Sequence, residues 1–96
     1  MLENEICHDG SRVFARLPVK RNELSLIYGI VRLKGAYPTA IVPSLDEWWI
    51  DFAYSDYRFS VSTQYGDYWF HVRDVNCPEE ILKMVADHFS KYLAQR

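Results

Sequence analysis

With four glycines, four prolines and two cysteines among 96 residues, the chain lacks the raw material of several function classes. There is no glycine-rich stretch to cradle a phosphate or open a dinucleotide site. Nor is there a run of Lys and Arg. Eleven basic residues against 13 acidic give a formal net charge of -2, which argues against a bulk polyanion binder and leaves only local positive patches. No apolar segment approaches the ~20 residues a bilayer span requires, so no membrane association is expected. The opening stretch MLENEICHDG is acidic, unlike the basic start of a secretion signal. A cytoplasmic protein is therefore expected, with Cys7 and Cys77 as reduced thiols rather than a disulfide.

Metal chemistry finds little support. Cys7 and His8 are adjacent and cannot readily supply a spaced chelate pair. His71, Asp74 and Cys77 are spaced at three residues but straddle a strand end and a helix start. Without a second spaced pair of soft ligands a structural zinc site is not expected, and no cofactor is implied. A helix start can lower the pKa of a thiol placed as Cys77 is, but Asp74, Glu79 and Glu80 oppose that effect, so a reactive cysteine is not expected there.

What the chain does have is apolar and aromatic residues. The hydrophobic fraction of 49% and the aromatic fraction of 16% exclude a disordered chain, and the length suits one domain. There is no internal repeat, linker or low-complexity segment. The stretch from Trp48 to Val75 organises the rest. It contains three segments that alternate with period two, the mark of half-buried strands. Trp48, Ile50, Phe52 and Tyr54 share one parity in the first. Tyr57, Phe59, Val61 and Thr63 do so in the second, and Tyr68, Phe70 and Val72 in the third. Ser55-Asp56 makes a two-residue link without the glycine favoured in tight hairpins, and Gln64–Asp67 makes a four-residue link containing Gly66. Those lengths pair Tyr54 with Tyr57 and Thr63 with Tyr68, and a slip of one residue would turn the apolar side to water.

Upstream, Arg12–Leu17 reads as a strand with Val13, Ala15 and Leu17 inward, although Phe14 lies on the other parity. Leu2 and Ile6 are expected to pack on the domain edge. A helix capped by Asn22 runs to about Lys34, with Leu24, Ile27, Tyr28, Val31 and Leu33 on a stripe that Leu26 and Ile30 widen. Gly35 stands where a left-handed cap would be, while Gly29 weakens the helix. A pair of strands is the competing reading of this segment. Thr39–Val42, between Pro38 and Pro43, reads as an edge strand or extended connector, and Ser44–Glu47 as a turn. Asn76-Cys77-Pro78-Glu79-Glu80 starts the last helix. Ile81, Leu82, Val85, Phe89, Tyr92 and Leu93 form its stripe, with Lys91 and Arg96 suiting its C-terminal dipole. The expected fold is an α+β two-layer sandwich in the order β-α-β-β-β-β-α: an antiparallel meander over 48–75 with two helices on one face.

That register leaves three rows on the other face: Trp49-Ser62-Trp69, Asp51-Ser60-His71 and Ala53-Arg58-Arg73. Triad chemistry needs histidine between acid and nucleophile, whereas Ser60 lies in the middle here. The row therefore reads as a solvated polar rung, without catalytic residues. Trp49, Trp69, Arg58, Arg73 and His71 read instead as an interaction surface, since exposed indoles and arginines are enriched at contact hot spots. The expected partner is a protein, a second copy of the chain being the simplest case, unless residues 36 to 47 or the N-terminal segment cover the tryptophans. Single-stranded nucleic acid is the alternative partner, stacking on the indoles with Arg58, Arg73 and Arg12 on phosphates. Asp51, Asp56, Asp67 and Asp74 weigh against it.

Overall fold

A computed structural model describes residues 2–18, 23–43, 48–64, 66–94 and no others. The elements are β1 (Glu5–Ile6), β2 (Arg12–Pro18), α1 (Glu23–Arg32), β3 (Tyr37–Pro43), β4 (Trp48–Tyr54), β5 (Tyr57–Gln64), β6 (Asp67–Val72) and α2 (Glu79–Ala94). The six strands form one antiparallel sheet in the order β1-β2-β6-β5-β4-β3. Both helices bury their apolar stripes against one sheet face, giving the expected two-layer α+β architecture. Among the described residues, the structure adds the two-residue β1 to the expected strands.

Alternation carries the meander into the expected register. Ile50 pairs with Val61, Phe52 with Phe59 and Tyr54 with Tyr57, while Val61 pairs with Phe70 and Thr63 with Tyr68. The core is aromatic. Phe52 stacks on Phe59 at 5.2 Å, and Phe89 of α2 sits 4.9 Å from Phe70 and 5.9 Å from Phe52.

The Ser55-Asp56 link reverses the chain with both residues at positive φ, 53° and 68°. This is the type I′ geometry that matches strand twist, reached here without glycine. Left-handed backbone costs an ordinary residue roughly 1–2 kcal/mol, so Ser55→Asn/Asp56→Gly is expected to stabilise the fold by about 1 kcal/mol. A urea midpoint that fails to rise would contradict this reading of the turn.

Three expectations require correction. In β2 the register shifts between Val13 and Ala15, leaving Phe14 as the extra residue of a bulge. Ala15 lies opposite Phe70, and the Phe14 ring packs 5.8 Å from Phe59, so both serve the helix side. Val13 instead pairs with His71 on the opposite face, where it is fully buried. The inserted residue has reversed the parity of everything before it.

In α1 the buried stripe is Leu26 and Ile30, continued by Leu33 just past its end, whereas Tyr28 and Val31 are 65% and 61% exposed. The helix is rotated because Gly29 faces α2: a Cβ there would lie 2.9 Å from Phe89 and 3.0 Å from Tyr92. His88 Nε2 also lies 2.7 Å from the Gly29 carbonyl oxygen. Gly35 has φ +90°, as a C-terminal cap requires.

At the N-terminus Leu2 packs against the core, but Ile6 is exposed. The segment is tied down by Arg12, a buried side chain whose Nε and Nη2 donate to the Glu3 carbonyl oxygen at 3.0 and 2.6 Å. Arg12 Nη1 also reaches Glu79 at 3.3 Å.

The turn before α2 is built on Asp74, whose carboxylate accepts the Asn76 N–H at 2.9 Å and whose carbonyl accepts the Cys77 N–H at 3.0 Å. The Pro78 carbonyl accepts the first helical bond, from Leu82. Asn22, the turn over 44–47, Arg96 and the side chain of Leu24 lie outside the described residues.

Candidate functional site

The face without helices reads across the sheet in two long rows. One is Val42, Trp49, Ser62, Trp69 and Arg16; the other is Ala40, Asp51, Ser60, His71 and Val13. Tyr37, Ala53 and Arg58 form a shorter third row, and the Arg73 N–H donates to the Arg58 carbonyl oxygen at 2.9 Å. The sequence-derived rows on β4, β5 and β6 are therefore adjacent as expected.

Their surroundings differ from a bare polar surface. Trp49 and Trp69 are half-buried, Arg58 and Arg73 are exposed, and His71 is only 6% exposed. The middle row is thus not a uniformly solvated rung. Ser60 Oγ donates to Asp51 Oδ1 at 2.7 Å. His71 bonds diagonally instead, with Nε2 3.2 Å from Ser62 Oγ, and Ser62 is fully buried. The Trp49 indole lies over the imidazole, ring centres 5.3 Å apart and 32° from parallel. Arg16 places its guanidinium 4.3 Å from the Trp69 ring centre while pairing with Glu3 at 3.1 Å and with Glu5.

The second ring nitrogen of His71 finds a residue that strand alternation did not point to. Nδ1 lies 3.9 Å from the Cys7 sulfur. Cys7 is carried there by the turn between β1 and β2. Its N–H donates to the Ser11 carbonyl at 2.8 Å, and the Gly10 N–H donates back to the Cys7 carbonyl at 3.0 Å. Gly10 has φ +87°, and Asp9 Oδ1 accepts both the N–H and the hydroxyl of Ser11. Those two bonds hold the Asp9 carboxyl below its usual pKa. Asp9-Gly10 is legible as a turn, but the 64-residue separation between Cys7 and His71 is not.

Together Cys7, Asp9, Trp49, Trp69 and His71 line a cleft of about 340 Å³. Burial pushes the His71 pKa below its ordinary value, against the pull of the Asp9 and Glu5 carboxylates. The imidazole is therefore neutral at pH 7 and can accept a proton.

No family model matches the chain, and no curated protein or solved structure matches it significantly.

The second cysteine behaves differently. Cys77 is unpaired, as is Cys7, and it is buried. Burial first, then the neighbouring Asp74, pushes its thiol up to about 11, so it stays protonated near neutral pH. Among the described residues no three His, Cys, Asp or Glu side chains are placed to hold one metal ion together, and no helix is long and apolar enough to cross a membrane.

Proposed function

We propose that this is a small protein-interaction domain that works by self-association through the face without helices, with no turnover chemistry of its own. The observation that carries the reading is the row Val42-Trp49-Ser62-Trp69. Two half-buried indoles share it with an exposed valine, on a face that the turn from Cys7 to Ser11 covers only in part, over His71. Tryptophan and arginine are enriched among the few residues that carry most of the binding energy at protein contacts.

Size is compatible with a specific dimer. The five long strands, each occupying about 4.8 Å of sheet width and spanning roughly 23 Å, present a projected face of roughly 550 Å². The accessible area of a corrugated face exceeds its projection and comes near the ~800 Å² per partner of a specific contact. The rim carries both signs, with Arg58, Arg73, Asp56 and Asp74 all exposed, so a two-fold pairing can oppose unlike charges. Base stacking on the same indoles is less well supported, because Arg16 is already paired with Glu3 and Glu5.

Sedimentation equilibrium of the wild type and of Trp49→Ser/Trp69→Ser tests the reading. The wild type is expected as a reversible dimer that survives 0.5 M salt, and the variant as a monomer with unchanged circular dichroism. Equal masses for the two folded proteins would exclude the proposed surface. Retention of a random single-stranded oligonucleotide at low salt only, by a monomeric wild type, would favour the nucleic-acid reading instead.

A further inference from the structure

We propose that Cys7 is a covalent modification site, a thiol nucleophile that gives its proton to His71 and adds to a planar α,β-unsaturated carbonyl compound seated against Trp49 and Trp69. Three independent features converge on it. The sulfur lies 3.9 Å from Nδ1 of an imidazole whose other nitrogen is 3.2 Å from the buried Ser62 hydroxyl. With the Nε2 hydrogen donated to Ser62, Nδ1 carries the lone pair and faces the thiol. Ser62 thus acts as the positioning residue, setting tautomer and ring orientation as an orienting partner does in other nucleophile–base pairs. Second, Cys7 is partly exposed and opens on the cleft, so a reagent can reach the sulfur without unfolding the protein. Third, two indoles line that cleft. At about 340 Å³ it lies at the small end of ligand sites and suits a single ring with its reactive group.

Burial disfavours an imidazolium at His71, and Glu5 and Asp9 on the N-terminal segment beside it offset part of that penalty once the proton has moved. His8 is exposed nearby, and Arg16 on β2 is occupied by Glu3, Glu5 and the Trp69 ring. Asp51 on β4 is held by Ser60.

The step balances without an oxidant. The Cys7 S–H proton passes to Nδ1, and the sulfur forms a bond to the β-carbon. The C=C electron pair moves toward the carbonyl, and the resulting enolate takes a proton back from the imidazolium. One thioether results per chain. The inference does not depend on self-association, because the reaction can be followed at dilutions where the chain is monomeric.

The probe is N-phenylmaleimide, with N-ethylmaleimide for comparison, and addition is followed by intact-protein and peptide mass spectrometry between pH 5.5 and 8.5. Cys7 is expected to react at pH 7 while Cys77 stays unlabelled. His71→Gln is expected to slow Cys7 at least tenfold at that pH, and Ser62→Ala severalfold, with circular dichroism unchanged. The wild-type rate should level off above the His71 titration, whereas an isolated thiol gains tenfold per pH unit up to about 8.5. The preference for the phenyl reagent, normalised to free cysteine, should fall in Trp69→Ala. If His71→Gln does not fold, the wild-type pH profile alone decides. A Cys7 profile that follows an isolated thiol, or equal rates in wild type and folded His71→Gln, overturns the assignment. An unchanged phenyl preference in folded Trp69→Ala overturns the aromatic seat.

Discussion

Phe89→Ala is expected to lower unfolding free energy by about 3–5 kcal/mol, a large share of the ~5–15 kcal/mol typical of a domain. Phe89 is fully buried where α2 meets the sheet, with its ring against Phe70 and Phe52 and its edge against His88. Truncation removes the transfer free energy of a whole ring and leaves a void that flat neighbouring rings cannot collapse to fill. The measurement is urea unfolding with wild type, Phe89→Leu and Phe89→Ala side by side. The midpoint should drop progressively with an unchanged slope. A loss below 1 kcal/mol for the alanine variant would mean that α2 does not rest on this part of the sheet.

The second large effect is expected on the facing helix. Gly29→Leu should cost about 3 kcal/mol and Gly29→Ala about 1 kcal/mol, although either residue improves helix propensity by up to ~1 kcal/mol. The space for even one methyl group is taken, since a Cβ at Gly29 would press on the rings of Phe89 and Tyr92. Overpacking outweighs propensity because the Phe89 ring is itself wedged against Phe52 and Phe70 and has nowhere to move. Combining Gly29→Ala with Phe89→Leu should recover part of the loss, a non-additive outcome readable from the same unfolding curves. Stabilisation by Gly29→Ala alone would show that the two helices stand further apart.

The meander and α2 were legible for a definite reason. In β4, β5 and β6 every second residue is apolar and the links are short, so only one register keeps Ile50, Val61 and Phe70 on the same side. The stripe of Leu82, Val85, Phe89 and Leu93 admits one orientation of α2. α1 was different, being apolar on most sides. Periodicity could not choose between a stripe through Tyr28 and Val31 and one through Leu26 and Ile30. The choice is made by tertiary contact at Gly29, a residue that helix propensity alone marks as a weak point. The β2 bulge left a faint trace, Phe14 on the wrong parity, but an alternation rule has no way to insert an extra residue. In the candidate site, the row of Trp49 and Trp69 and the row of Asp51, Ser60 and His71 followed from register. The Cys7–His71 contact depends on where a turn 64 residues away folds back, and no local pattern encodes that.

The most direct test of the proposed contact face is its location in solution. A concentration series of ¹H–¹⁵N spectra of wild-type protein, from ~10 µM to ~1 mM, supplies it. The indole N–H signals of Trp49 and Trp69 and the amides around Arg58 and Arg73 should shift with concentration, while Met84 and Tyr28 on the helices stay still. Spectra that do not change over that range, or shifts confined to the β3 edge around Ile41 or to Tyr28 and Val31 of α1, would contradict it.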